Sequence, residues 1–282
     1  MTVWHNKEGC MNKKLPVVAT FKEALLLPLK HFRSVLIVGF PIILVSAVYE
    51  ILSYFWFIDG NRPDQPSSAY FVFMSVSALV YTVAYAVGIV GCHRLFLMDD
   101  TAETNVRLFN WTGNEIKFTG WWLVLGVVML LASIPLMFVF FVMIGGVKVF
   151  AGFGLAAPVL GRLFMLPILY VMARCSLVLP SAAIGIHGKS ISWSWKLSAG
   201  NGLRLAVLVS LVPFVLNTLF SLLPSGGFLW LLLGWLVSLV LGVIQVALLS
   251  LSYKFLVENV VVEEGENDEP AEALAVQESG AS

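Results

Sequence analysis

Charge is what this chain has least of. Only 12% of its 282 residues are Asp, Glu, Lys or Arg, about half of the roughly 25% carried by an average soluble domain. That is too little to cover a water-facing surface, so a soluble globular protein is excluded. Bases are absent altogether from Glu258 to Ser282, where eight acids stand, so the net charge of zero hides 17 bases against 9 acids upstream. The basic excess of a nucleic-acid binder is missing over the whole chain, and 59% hydrophobic residues exclude disorder. Cysteine is scarce too. Cys10, Cys92 and Cys175 are odd in number and far apart, with no CxxC, which removes a disulfide framework and a cysteine zinc site.

Catalytic patterns are equally thin. The four histidines (His5, His31, His93, His187) share no HExxH and no i, i+4 pair, and no GxSxG occurs. Gly185 to Ser190 ends like a phosphate loop, but Ala183 stands where a glycine is required and no strand precedes it. The start, Met1 to Pro16, has lysines but no apolar stretch before a small-residue site, so no cleavable signal peptide is expected.

What the chain does have is long apolar runs, with a mean hydropathy of +0.90. A helix needs about 20 apolar residues to cross a hydrocarbon core of about 30 Å. Six segments qualify: Ser34–Ile58, Tyr70–Met98, Thr119–Ile144, Ala156–Pro180, Leu203–Leu223 and Phe228–Val257. The expected fold is therefore an all-α integral membrane protein, six transmembrane helices in three hairpins, with short interfacial amphipathic helices on the cytoplasmic side. Residues 1–33 form a cytoplasmic N-terminus, 34–257 the membrane domain, and 258–282 an acidic, disordered cytoplasmic tail.

Orientation follows from the bases. Fourteen Lys and Arg fall on the side of the N-terminus and three (Arg62, Lys148, Arg162) on the other, which places both termini in the cytoplasm. The hairpins are alike in spacing. Their opening bases Arg33, Lys117 and Arg204 are 84 and 87 residues apart, and their closing bases Arg94, Arg174 and Lys254 are 80 and 80 apart. Either an internal repeat or the common attraction of bases to cytoplasmic helix ends accounts for this.

Three cytoplasmic segments read as interfacial. Val17 to Leu27 is too short to span, is expected to stop at Pro28, and puts Phe21, Ala24, Leu25 and Pro28 on one face. Ser190–Trp195 and Arg107–Lys117 carry the tryptophans and phenylalanines that favour the headgroup level. Within the spans, Glu50 and Arg162 lie at matching depths, roughly 9–12 Å below the outer boundary at 1.5 Å per residue. Opposite signs at one depth predict an intramembrane ion pair. His93-Arg94 and Arg174 are expected to snorkel to lipid phosphates. Asn217 and Gln245 read as interhelical glue, and the small-residue rows Gly234/Ser238/Gly242 and Ala84/Gly88/Cys92 as packing faces.

One stretch carries a family likeness. Arg174, Leu177 and Pro180 end a span. Ser194-Trp195-Lys196-Leu197-Ser198-Ala199-Gly200-Asn201 then turns into the next. This resembles bacterial six-helix membrane proteins related to the membrane domain of glycerophosphoryl diester phosphodiesterase. In those phosphodiesterases catalysis belongs to a separate soluble domain, which is not expected here, so the resemblance implies the membrane scaffold without the activity. No catalytic, cofactor-binding or metal residues are expected. The expected function is non-enzymatic, exerted in the bacterial cytoplasmic (inner) membrane through the lipid bilayer and a membrane or cytoplasmic protein partner, without nucleic acid. A transporter or permease component is the alternative.

Overall fold

The computed structural model describes residues 14–57, 68–98, 111–143, 165–186, 188–221 and 227–268. Among them every regular element is a helix, and six are long and apolar enough to cross a membrane: Phe32–Leu52, Phe71–Leu97, Asn114–Val139, Leu166–Ala183, Gly202–Leu219 and Leu232–Asn259. These are the six expected segments with shifted ends. The first part of the fourth, residues 156–164, lies outside the described residues.

Helix α1 (Val17–Lys30) begins after Pro16 and runs through Pro28 rather than stopping there. A proline disturbs the turn before it, by losing its own N–H and crowding the carbonyl four residues back. The turn after it keeps its donors, and His31 still donates to the Leu27 carbonyl at 3.2 Å. Helix α1 also does more than rest on a bilayer surface, because Thr20 and Ala24 are buried against the last helix. Leu25, from the expected apolar face, stays partly open.

Helices α2 (Phe32–Phe57) and α3 (Ser68–Leu97) pack closely and antiparallel. Glycine permits this: a Cβ on Gly88 would collide with Ile42, and one on Gly91 with Val38. The Ala84/Gly88/Cys92 row is thus a packing face, as expected. Helix α4 (Asn114–Met143) starts five residues before the expected span, absorbing the end of the Arg107–Lys117 segment.

Spans four and five are interrupted rather than continuous. The fourth divides into α5 (Leu166–Cys175) and α6 (Val178–Ala183). Pro180 has no N–H for the Ser176 carbonyl, which instead takes a tighter bond from Leu179 at 2.9 Å. After the short α7 (Ile191–Leu197), the fifth runs as α8 (Gly202–Ala206), a π-helical turn (Val207–Leu211) and α9 (Val212–Ser221). The widened turn lies around Val209, whose carbonyl the Pro213 ring would otherwise crowd. Asn217 bonds back to Pro213 of its own helix at 3.0 Å and, among the described residues, holds no second helix, while Gln245 is exposed.

The last helix, α10 (Gly227–Asp268), has 42 residues and so measures about 63 Å at 1.5 Å per residue, twice the hydrocarbon core. It carries helix into the stretch 258–282 expected to be disordered. Once a long helix stands, adding residues such as Glu263, Glu264 and Glu266 needs no new nucleus. Residues 269–282 lie outside the described residues. Small residues on α10 behave differently from those on α3: among the described residues, a Cβ on Gly242 would meet nothing within 4 Å, so at that position the Gly234/Ser238/Gly242 row is open rather than packed.

Burial is uneven along the bundle. Leu15, Val90, Phe118, Leu177, Val178, Leu205, Leu208 and Leu248 are almost fully enclosed, all in the half of the bundle where α1 lies. Toward the other end Leu79, Phe138 and Leu229 stand 67%, 70% and 80% exposed, as side chains solvated by lipid would.

Candidate functional site

Polar side chains collect at the closed end of the bundle, where α1 packs. Arg174, in the last turn of α5, is 9% exposed and points inward. Its Nε donates to Ser198 Oγ at 2.8 Å, one terminal nitrogen donates to the Trp195 carbonyl, and the other reaches the Tyr170 hydroxyl at 3.4 Å. The guanidinium lies 3.7 Å over the Trp195 ring. This replaces the expected snorkelling. Arg174 spends its planar fork on a neighbouring loop, a geometry that a point-like ammonium lacks. Ser194 is likewise buried, donating to the Arg174 carbonyl that the end of α5 leaves open, with the Cys175 carbonyl 3.2 Å from the same hydroxyl.

The remaining motif residues are also ordered by packing and turns. Pro180 is among the fully buried side chains. Gly200, at φ +75°, turns the chain after α7. Asn201 Oδ1 accepts from the Leu15 N–H at 2.8 Å while Arg204 donates to the Leu15 carbonyl at 2.9 Å. The residue entering α1 is thus held by both its backbone groups, with its side chain wholly enclosed. Gly202 leaves room for Arg174 and Tyr170, since a Cβ there would sit 2.7 Å from the Tyr170 hydroxyl and 3.1 Å from Arg174 Cδ. Five residues singled out in the sequence (Arg174, Ser194, Trp195, Gly200, Asn201) therefore belong to one structural junction, while Pro180 is buried on the short helix α6.

A second cluster went unread. Arg94, at the end of α3, pairs with Glu115 at 3.3 Å, donates to the Ala183 carbonyl at 2.9 Å, and reaches the Thr112 hydroxyl. Glu115 accepts from the Thr112 N–H at 2.9 Å. The signal was present: Thr112-Gly113-Asn114-Glu115 has the Thr-x-x-Glu spacing of a capping box. Arg94 thus holds two helix ends together instead of seeking phosphates. Beside it, buried His93 bonds Ser250 through Nδ1 at 2.8 Å, and Ser250 gives its own proton to the Val246 carbonyl. A serine has one proton to give, so His93 Nδ1 is the donor, and α3 is tied to α10.

The other feature is a half-open cavity of about 1240 Å³ between α1, α2, α3 and α10. Its walls are mostly apolar, from Leu25 and Phe32 near α1 to Trp230 at the far end, and the Gly234/Ser238/Gly242 row opens onto it. Where α2 meets α10, Trp235 Nε1 donates to Ser46 Oγ at 3.0 Å. One turn farther, Glu50 lines the cavity with Tyr49 and Tyr81. Arg162, the expected partner of Glu50, lies outside the described residues. So does the expected ion pair.

No family model, curated protein or solved structure matches this chain. Among the described residues no three His, Cys, Asp or Glu side chains come together as a metal site would require. The arginine clusters are occupied by their own hydrogen bonds. Space and an uncommitted wall for a ligand are offered by the cavity.

Proposed function

We propose that this chain is a non-enzymatic multi-pass protein of the bacterial cytoplasmic membrane that acts by holding a lipid molecule along its first and last spans. The observation that carries this reading is the cavity. At about 1240 Å³ it exceeds the roughly 300–1,000 Å³ of an ordinary small-molecule pocket. It runs from Phe32 to Glu50 on α2, about 27 Å of helix at 1.5 Å per residue, which is the depth of a bilayer core. An apolar trench of that length, open to the side, suits acyl chains.

The membrane layout belongs to the same proposal. Both termini face the cytoplasm, the six spans form three hairpins, and α1 and α7 lie at the inner headgroup level, as the distribution of bases and tryptophans supports. Kinship with the six-helix proteins related to the glycerophosphoryl diester phosphodiesterase membrane domain rests on Arg174, Pro180, Ser194, Trp195, Gly200 and Asn201. Their tight packing gives a reason for that motif without catalysis.

The test is lipid retention. Protein purified in mild detergent should carry lipid detectable by native mass spectrometry, and Gly39→Leu should displace it. Gly39 lines the cavity, and a Cβ there meets nothing nearer than Ile43 Cδ1 at 3.9 Å, so leucine projects into the space without disturbing the fold. Equal retention by both proteins would sink the reading. A transporter or permease component is a second reading, favoured by Ser46, Glu50, Tyr81 and Thr82, which give the same trench a polar track. Movement of a labelled lipid between leaflets of reconstituted vesicles separates the two.

A further inference from the structure

The trench is not uniform along its length. Near α1 its lining is aliphatic and phenyl, and among the described residues the charge lining it is a single carboxylate, Glu50, toward the end remote from α1. The antiparallel register fixes what surrounds that carboxylate. Ile42 faces Gly88 and Val38 faces Gly91, so moving two turns outward from Ile42 brings Glu50 opposite Tyr81. On the other wall Ser46 meets Trp235, which brings Glu50 level with the turn that carries Trp230. Tyr49, Tyr81 and Trp230 all line the cavity, and the Tyr81 ring stacks on Tyr85 with centroids 6.1 Å apart. Within the described residues Glu50 has no ion-pair partner and no side-chain hydrogen bond.

A carboxylate facing hydrocarbon is costly unless a cation joins it. Aromatic faces around such a carboxylate add attraction for one kind of cation in particular, an ammonium group, through the ring quadrupole. We infer that the ligand of this trench is an amphiphile with an ammonium headgroup, its chains along α2 and α10 and its nitrogen between Glu50 and the rings of Tyr49, Tyr81 and Trp230. This inference rests on the lipid-holding reading and adds the chemistry of the headgroup. A primary and a quaternary amine share that chemistry, and comparing phosphatidylethanolamine with phosphatidylcholine tells them apart.

The experiment uses the full chain, delipidated in detergent and offered equimolar phosphatidylethanolamine and phosphatidylglycerol, then phosphatidylcholine and phosphatidylglycerol, with bound lipid read by native mass spectrometry. The expected result is a preference of about tenfold for at least one amine lipid, the equivalent of about 1.4 kcal/mol. Glu50→Gln should abolish the preference and Glu50→Asp, which keeps the charge, should retain part of it. Arg162→Gln should leave it unchanged. Retention without headgroup preference would overturn the inference while leaving the lipid-holding reading intact. A preference that emerges only in Arg162→Gln would give Glu50 to Arg162 and also overturn it. Absence of retained lipid from the wild-type protein would overturn both.

Discussion

Breaking the Arg94–Glu115 pair from its two sides should cost very different amounts. The Glu115 side chain is 1% exposed and that of Arg94 16%. In Arg94→Met the carboxylate stays buried and keeps only the bonds from Thr112. Stranding one member of a buried pair costs about 3–5 kcal/mol. In Glu115→Gln the arginine keeps the Ala183 carbonyl and the Thr112 hydroxyl and has some access to solvent, and the glutamine oxygen can still cap Thr112. That loss should be about 1.5–3 kcal/mol, the scale of one hydrogen bond to a charged group. At about 2–4 °C per kcal/mol, melting in detergent should fall by roughly 10 °C in the first variant and a few degrees in the second. The double variant removes both charges and should melt above the sum of the two losses, with a coupling of about 2 kcal/mol. Equal losses, or strict additivity, would refute the reasoning, because either result would mean that the two groups do not depend on one another for burial.

Arg174→Lys should destabilise by about 1–3 kcal/mol, because an ammonium cannot serve Ser198, the Trp195 carbonyl and the Trp195 ring at once; an unchanged melting temperature would count against the junction. A cysteine introduced at Ser67 should be labelled from outside intact cells, and one at Ser282 only after the inner face is opened. Labelling of position 282 in intact cells would reverse the proposed orientation.

Six apolar runs could be read from the chain because each must satisfy its own backbone within hydrocarbon, and that demand is local. The small residues of α3 could be read for the same reason, since a close helix approach needs a glycine wherever a neighbour intrudes. The same spacing on α10 leaves an open wall at Gly242, where no described residue comes within 4 Å of a Cβ. The interruptions at Pro180 and Pro213 were visible as prolines, but whether a proline ends a helix, tightens it or widens it depends on what else takes the freed carbonyl. Arg94 and Arg174 look alike in sequence to any base near a cytoplasmic helix end. Only the folded chain brings Glu115 and Thr112 to one and Ser198 and Trp195 to the other, from segments 18 to 24 residues away. The sequence by itself determined the class of solvent each segment requires, which is a sum over its own side chains. The tertiary structure decided where polar groups find partners and where space is left between helices, because those depend on side chains that meet across the bundle.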